Sequence, residues 1–153
     1  MKKDLKPIFE FLHKNRLMAL STYNKSPWIC TVYYAVDRDF NLYFVSSPNS
    51  KHCKDIEKNN KVACAVFDSH TKNSDNKAGV QFVGTASEVK GWDRTKVILK
   101  MWHRAAPGAE DIVNVKNMKD KVISSRVYRI KPKKIQFFND KLYGDEETKM
   151  FEF

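Results

Sequence analysis

The chain has 153 residues, of which 42% are hydrophobic and 12% aromatic, and its formal net charge is +10. A chain of this length and composition can bury a core that is stable without disulfides or a structural metal, so we exclude a disordered protein. Charged residues interrupt every apolar run before it reaches membrane-spanning length, which excludes a transmembrane protein.

We predict one domain over residues 1–153, with a core over about residues 8–140 and a charged C-terminal tail over 141–153. The N-terminal apolar stretch is too short and too polar for a signal peptide, so we expect a cytoplasmic protein. Cys30, Cys53 and Cys64 are far apart and form no C-x-x-C motif, and we predict no metal site. Cys30 and Cys64 lie in strand-like runs, where a free cysteine acts as a small apolar residue.

The first third of the chain predicts one short helix followed by a meander of strands. Leu5, Ile8, Phe9 and Leu12 have the spacing of one helical face. Strands are predicted over the β-branched and aromatic runs that follow, which short polar turns separate: 17–23, 28–36 and 42–46.

The rest of the chain adds two helices and four strands to the prediction. A helix is predicted from Ser50 to Asn59, and another over 92–104. Gly84 marks a bulge or a close backbone approach within a long strand. The predicted strands are 61–67, 79–89, 126–130 and 134–138, the last two joined by a turn at 131–133.

About seven strands with short connections predict a mainly β fold with peripheral helices. Sequential strands joined by short turns pair antiparallel, and closure into a barrel removes the exposed sheet edges. We therefore expect a closed antiparallel barrel.

One segment carries the elements of a phosphate site. The strand that ends at Ser46 is followed by a Pro-Asn turn and by a helix that opens with Ser50 and Lys51. Backbone N–H groups and the positive end of the dipole at a helix start bind phosphate, and hydroxyl and ammonium groups add donors. The alternative is an ordinary helix start with Ser50 as N-cap and Lys51 in solvent, and the residues alone leave both open.

Five motifs in order resemble the pyridoxamine 5′-phosphate oxidase-like family of FMN-binding split β-barrels. The resemblance covers about residues 8–140. The motifs are LMALST at 17–22, PWICTVYY at 27–34, LYFVSS at 42–47 with Ser50-Lys51, NNKVA at 59–63 and VQFVGTA at 80–86.

The resemblance implies a homodimer that holds FMN at the subunit interface, with a split-barrel fold of the FMN-binding type. Ser50 and Lys51 match the phosphate-binding positions, and Gln81 matches a residue that reaches the pyrimidine edge of the flavin. By periodicity alone Gln81 could equally face solvent. The other residues that the resemblance places near the cofactor are Ile29, Cys30, Thr31 and Val32 by their backbone, Val45 and Ser46 near the ring or ribityl chain, and Trp102 from the other subunit.

The chain departs from the named oxidase in two places. Residues 135–144 correspond to the Trp-containing strand and Arg-x-His motif that handle the oxidase's substrate, but they contain no Arg and no His. His52 stands where the oxidases often have another basic residue on the phosphate. Oxidation of vitamin B6 is therefore not the expected activity.

We expect a flavin-dependent oxidoreductase acting on an unidentified small molecule. One alternative keeps the fold without catalysis, as a sensor or storage module that binds flavin or haem, and deazaflavin is a further possible cofactor. Another is a basic barrel that binds nucleic acid, in which Tyr33, Tyr34, Phe44 and Phe82 could stack on bases. We read most of the positive charge as a solvated surface, with no membrane partner.

Overall fold

The computed structural model describes residues 3–68, 70, 72, 76–91, 124–144 and 148–153. A 3₁₀ turn at Lys3–Leu5 precedes the first helix. The helices are α1 (Lys6–Lys14), α2 (Lys51–Lys58) and α3 (Asp140–Tyr143). The strands are β1 (Leu17–Asn24), β2 (Ser26–Val36), β3 (Leu42–Ser46), β4 (Lys61–Phe67), β5 (Ala78–Val89), β6 (Arg126–Asn139) and β7 (Thr148–Glu152).

The strands form one antiparallel sheet that closes on itself. Their order is β3-β2-β1-β4-β5-β6-β7, and an additional pairing joins β3 to β6. The first six strands thus make a closed barrel, while β7 lies outside it against β6. This confirms the predicted mainly β, closed antiparallel fold.

Side chains alternate between the barrel interior and its outer surface. On β1, Met18, Leu20 and Thr22 are buried, whereas Ala19 and Ser21 point to the other face. Large aromatic and branched residues fill the interior, and helix α1 covers it with Ile8 and Leu12. The largest fully buried residues include Tyr128, Phe40, Phe44 and Phe137.

Strand β6 is longer than its sequence suggests. Residues 126–139 form one strand, so the prediction of two strands joined by a turn at 131–133 was wrong. A register shift lies between Val83 and Gly84, and Pro132 stands opposite Gly84. A Cβ at Gly84 would overlap the carbonyl oxygen of Lys131. Gly84 therefore allows the close approach that keeps β6 paired past its proline, which confirms the predicted bulge.

The C-terminal residues are not a free tail. Helix α3 begins at Asp140, and β7 pairs with β6 from Lys134 to Phe138. Phe151 packs against the core, and the Phe153 ring lies 5.2 Å from that of Phe40. Only Phe151 of β7 is partly buried, so the tail sequence has no alternation of apolar residues that would predict this strand. The predicted helix at 92–104 and Trp102 lie outside the described residues.

Candidate functional site

The predicted phosphate site lies where β3 ends and α2 begins. Pairing with β6 places Ser46 opposite Arg126 at the last position of β3. The chain then turns, with the Ser50 N–H donating to the Ser47 carbonyl oxygen at 3.0 Å, and enters α2 at Lys51. A tight turn thus brings Ser46 and Ser50 to the same point of the molecule.

Two hydroxyls and one imidazole form what we call the Ser–His cluster: Ser46, Ser50 and His52. His52 Nε2 lies 2.8 Å from Ser46 Oγ and 3.1 Å from Ser50 Oγ, and the two hydroxyl oxygens are 3.3 Å apart. His52 is 9% exposed, and its ring lies 6.1 Å from that of Phe44. The cluster combines flexible hydroxyl donors with a titratable ring nitrogen.

The start of α2 has no side-chain cap. Ser50 occupies the N-cap position, but its side chain accepts no hydrogen bond from the first turn and instead donates to the Ser47 carbonyl oxygen at 2.8 Å. The alternative of an ordinary Ser50 cap is therefore wrong. Uncapped N–H groups at a helix start favour an anion, because the dipole and the free donors point the same way.

Lys51 is not a free cation at this helix start. Its Nζ donates to both carboxylate oxygens of Asp55, at 3.0 and 2.9 Å, and lies 5.6 Å from the centre of the Trp28 ring. The Lys51 side chain is 42% exposed, whereas that of Asp55 is 3% exposed. The ammonium therefore lies between an aromatic face and a buried carboxylate.

Asp55 is held as a carboxylate by its neighbours. Burial works against the charged form, but hydrogen bonds from Lys51 and Thr22 and the Lys51 charge outweigh it and lower the pKa of Asp55 below its ordinary value. Thr22 Oγ1 donates to Asp55 Oδ2 at 3.0 Å. Our sequence analysis missed Asp55, although its i+4 spacing from Lys51 is a detectable signal of an ion pair.

The strand residues predicted to line the cofactor lie on β2 and β3 with alternating exposure. Ile29 is 66% exposed and Thr31 is exposed, whereas Cys30 is half-buried and Val32 is buried. Val45 and Ser46 are both half-buried on β3. Among the predicted residues that the structure describes, Ser46, Ser50 and Lys51 are the ones that meet at the start of α2.

Gln81 lies elsewhere, on the outer surface of β1, β2, β4 and β5, which we call the outer face. The middle of this face is floored by small side chains, which are Ala19, Ser21, Ala63 and Ala65. Large hydrophobic side chains exposed around them include Leu17, Ile29, Tyr33, Phe67 and Val83. A groove of about 360 Å³ runs across the floor, a volume within the range of small-molecule sites.

The outer face brings in residues that our sequence analysis did not single out. Gln136 pairs directly with Gln81 across β5 and β6, and Met150 of β7 pairs with Gln136. Lys134 lines the same groove. These pairings depend on the bulge at Gly84 and on the position of β7. The resulting strand register cannot be read from the sequence.

Gln81 and Thr31 belong to strands separated by β1 and β4. Three strand spacings put these positions about 14 Å apart across the sheet. Ile29 of β2 nevertheless lines the same groove as Gln81, so the predicted ligand residues form one group on the outer face and another at the start of α2.

Comparison with known proteins agrees with this architecture. The family model described as pyridoxamine 5′-phosphate oxidase matches residues 5–139. The chain belongs to the pyridoxamine 5′-phosphate oxidase-like family. It is a relative of the oxidase and not the oxidase itself, since its residues 135–144 have neither the Arg nor the His of the substrate motif. No similar sequence is found among the curated proteins.

Several solved structures are similar in fold to this member of the oxidase-like family. The conserved hypothetical protein Rv2991 from Mycobacterium tuberculosis is 21% identical, with a TM-score of 0.74 over 91% of this chain and 85% of that chain. HutZ, the heme storage protein from Vibrio cholerae, is 16% identical, with a TM-score of 0.67 over 96% and 92%.

A heme-binding protein from Mycobacterium smegmatis is 12% identical, with a TM-score of 0.73 over 99% of this chain and 59% of that longer one. Two proteins with a similar fold thus have names that refer to haem. Within the described part of the chain, no helix is long and apolar enough to span a membrane.

Proposed function

We propose that this protein binds FMN, with the phosphate at the start of α2, and acts as an oxidoreductase on a small molecule. The observation that carries the proposal is the uncapped start of α2 beside two serine hydroxyls and a nearly buried imidazole. The family relationship supports it, because the resemblance that the chain shows is to the FMN-binding branch of this fold.

The residues present fit the phosphate end of FMN. Ser46 and Ser50 offer hydroxyl donors, the first turn of α2 offers backbone N–H groups, and His52 offers a ring nitrogen. A phosphate dianion is stabilised by several converging donors, and hydrogen bonds to a charged acceptor are stronger than neutral ones. These groups are therefore the ones that would hold the cofactor.

A second copy of the chain would complete the site. Ile29 of β2 and Gln81 of β5 line the same groove, so the ring would lie on the outer face. The outer face has an apolar rim and a floor of small side chains, which suit close packing against another sheet. We propose a homodimer through this face, with the flavin held between the two copies.

The flavin would supply the two-electron chemistry when bound. The chain would hold the phosphate through the Ser–His cluster and place the ring along β2. Residues 135–144 provide no Arg or His, so we do not propose vitamin B6 as the substrate.

The proposal is tested by titrating the purified protein with FMN and with riboflavin, following flavin fluorescence. Riboflavin has the same ring without the phosphate, so we expect FMN to bind at least thirtyfold more tightly. Bound flavin should then be reduced by NADH or NADPH under anaerobic conditions. Binding of neither flavin would contradict the proposal.

Haem is the second candidate because two structural relatives, HutZ and the M. smegmatis protein, are named for it. The same purified protein is therefore titrated with hemin and its visible spectrum recorded. A sharp Soret band at one haem per chain, together with no flavin binding, would favour a haem-binding module. Flavin binding with only weak, unsaturated hemin absorption would favour FMN.

A further inference from the structure

We infer that His52, and not Lys51, supplies the positive charge that meets a ligand phosphate at the start of α2, so that phosphate binding is coupled to uptake of a proton. The inference rests on the proposed function, since it concerns the same site. The resemblance places a basic residue on the phosphate at Lys51 and often another at the position of His52, and the inference is that only His52 of the two meets it.

The charge of Lys51 already has a partner. Both oxygens of Asp55 accept hydrogen bonds from Lys51 Nζ, and the Asp55 side chain is only 3% exposed, so water can replace the ammonium only in part. Moving Lys51 to a phosphate would leave the Asp55 carboxylate with the uncharged donors Thr22 and Asn24. Separating a buried charge from its partner is costly, which keeps Lys51 on Asp55.

His52 has a different position. Its Nε2 faces both hydroxyls of the cluster, and its ring is nearly buried against Phe44. When Nε2 carries a hydrogen, it donates to Ser46 Oγ, and the hydrogen of the Ser46 hydroxyl is then free to point outward. When Nε2 has no hydrogen, it accepts from one of these hydroxyls and withdraws that donor from a ligand. A second ring proton adds the full positive charge that a phosphate dianion favours.

Several other charged groups around α2 are paired with one another. Arg126 of β6 pairs with Glu57 of α2 at 3.2 Å and with Glu88 of β5 at 3.4 Å. Lys51 and Asp55 pair on α2 itself. Burial raises the pKa of Tyr128 on β6, which keeps it neutral. From β1 and β2, the residues that contact the Lys51–Asp55 pair are Thr22, Asn24 and Trp28, and none of them carries a charge. Lys54 and Lys58 lie on the exposed side of α2, whereas His52 is the basic residue whose ring nitrogen contacts both hydroxyls of the cluster.

The experiment compares FMN and riboflavin affinities at pH 8 and pH 6 for three proteins. They are the wild type, His52→Gln and the double variant Lys51→Met/Asp55→Asn. The double variant removes the ion pair as a unit and leaves no isolated buried charge. We expect His52→Gln to weaken FMN binding about tenfold at pH 6 and much less at pH 8, with riboflavin unchanged. The double variant should stay within about threefold of the wild type.

The ionisation of FMN itself falls in this pH range but is common to all three proteins, so the comparison isolates His52. The ratio of FMN to riboflavin affinity is taken on one preparation, which removes the effect of any misfolded fraction. If His52→Gln keeps the wild-type ratio while the double variant loses it, Lys51 carries the charge and the inference is wrong. If the wild type binds neither flavin, the proposed function itself fails.

A second measurement needs no variant. Because proton and phosphate binding are linked reciprocally, FMN should shift the NMR titration of the His52 imidazole to higher pH, and riboflavin should not. His52→Gln identifies the resonance. An imidazole titration that is the same with FMN and without it would overturn the inference.

Discussion

The start of α2 and the outer face are both candidate ligand surfaces. They differ in that polar side chains at α2 have partners within the chain, whereas large hydrophobic side chains on the outer face are exposed. At α2, Lys51, Asp55, Ser46, Ser50 and His52 all have partners within the chain. On the outer face, Ile29 is 66% exposed and Phe67 60% exposed. The first region is built by one chain, and the second has the composition of a surface that another molecule covers.

Because of this difference, substitutions in the two regions should have different effects. Removing a polar partner at α2 disturbs the chain itself, because Asp55 is buried and depends on its neighbours. A change on the outer face leaves the folded chain intact and acts on whatever packs there. The predictions below use stability and association to keep these two effects apart.

The largest effect is expected from Ala63→Arg in the floor of the outer face. A guanidinium placed between two apolar sheets would be buried without a partner. We therefore expect the dissociation constant of the dimer to rise at least a hundredfold, which corresponds to about 3 kcal/mol of association free energy. Analytical ultracentrifugation over a range of concentrations measures this. Ala63 is exposed in the single chain, so thermal unfolding of the isolated chain should change little.

Asp39→Arg is the matched control for charge. Asp39 lies in the exposed loop between β2 and β3, and its replacement raises the net charge more than Ala63→Arg does. It should leave the dimer unchanged. Equal dissociation in both variants would mean that charge repulsion and not the outer face controls association, and a wild type that is monomeric at every concentration would contradict the homodimer.

Breaking the ion pair at α2 should produce the next largest effect. Lys51→Met leaves the buried Asp55 carboxylate without its main donor, and we expect a loss of about 2 kcal/mol in the free energy of unfolding. The partial exposure of Lys51 lets water replace some of the interaction, which keeps the value below that of a fully buried pair. Urea unfolding gives the comparison.

The double variant Lys51→Met/Asp55→Asn should recover more than half of that loss, since no isolated charge remains. If the loss of stability in the double variant equals the sum of the losses in Lys51→Met and Asp55→Asn, the two residues do not act as a pair. The coupling measured here is also what keeps Lys51 away from a ligand phosphate.

The sequence predicts the barrel better than it predicts the site. Strand periodicity and short turns are local signals, and they locate β1 to β5 to within two residues. The continuity of β6 past Pro132 depends on Gly84 of another strand, which no local pattern around Pro132 contains. For the same reason the pairing of Gln81 with Gln136 was not visible.

At the site, the sequence places Ser46, Ser50 and His52 within one short segment, and the turn that joins them is encoded locally. Whether Lys51 faces a ligand or Asp55 is decided by the burial of Asp55, which the barrel creates through Thr22 on β1. Motif resemblance transfers residue types between relatives, but it carries no information about such a partner.

The smallest effect concerns acid stability. The folded-state pKa of Asp55 is lowered, so its contribution to stability is present above the unfolded value of about 3.9 and is lost as pH falls through the folded value. The stability difference between wild type and Asp55→Asn, measured by urea unfolding, should therefore be constant from pH 7 to pH 5 and shrink below about pH 4. Other carboxylates titrate in both proteins and cancel in the difference. A difference that stays constant down to pH 3 would show that Asp55 gains nothing from its charge, and that the start of α2 is no more dependent on its internal partners than the outer face.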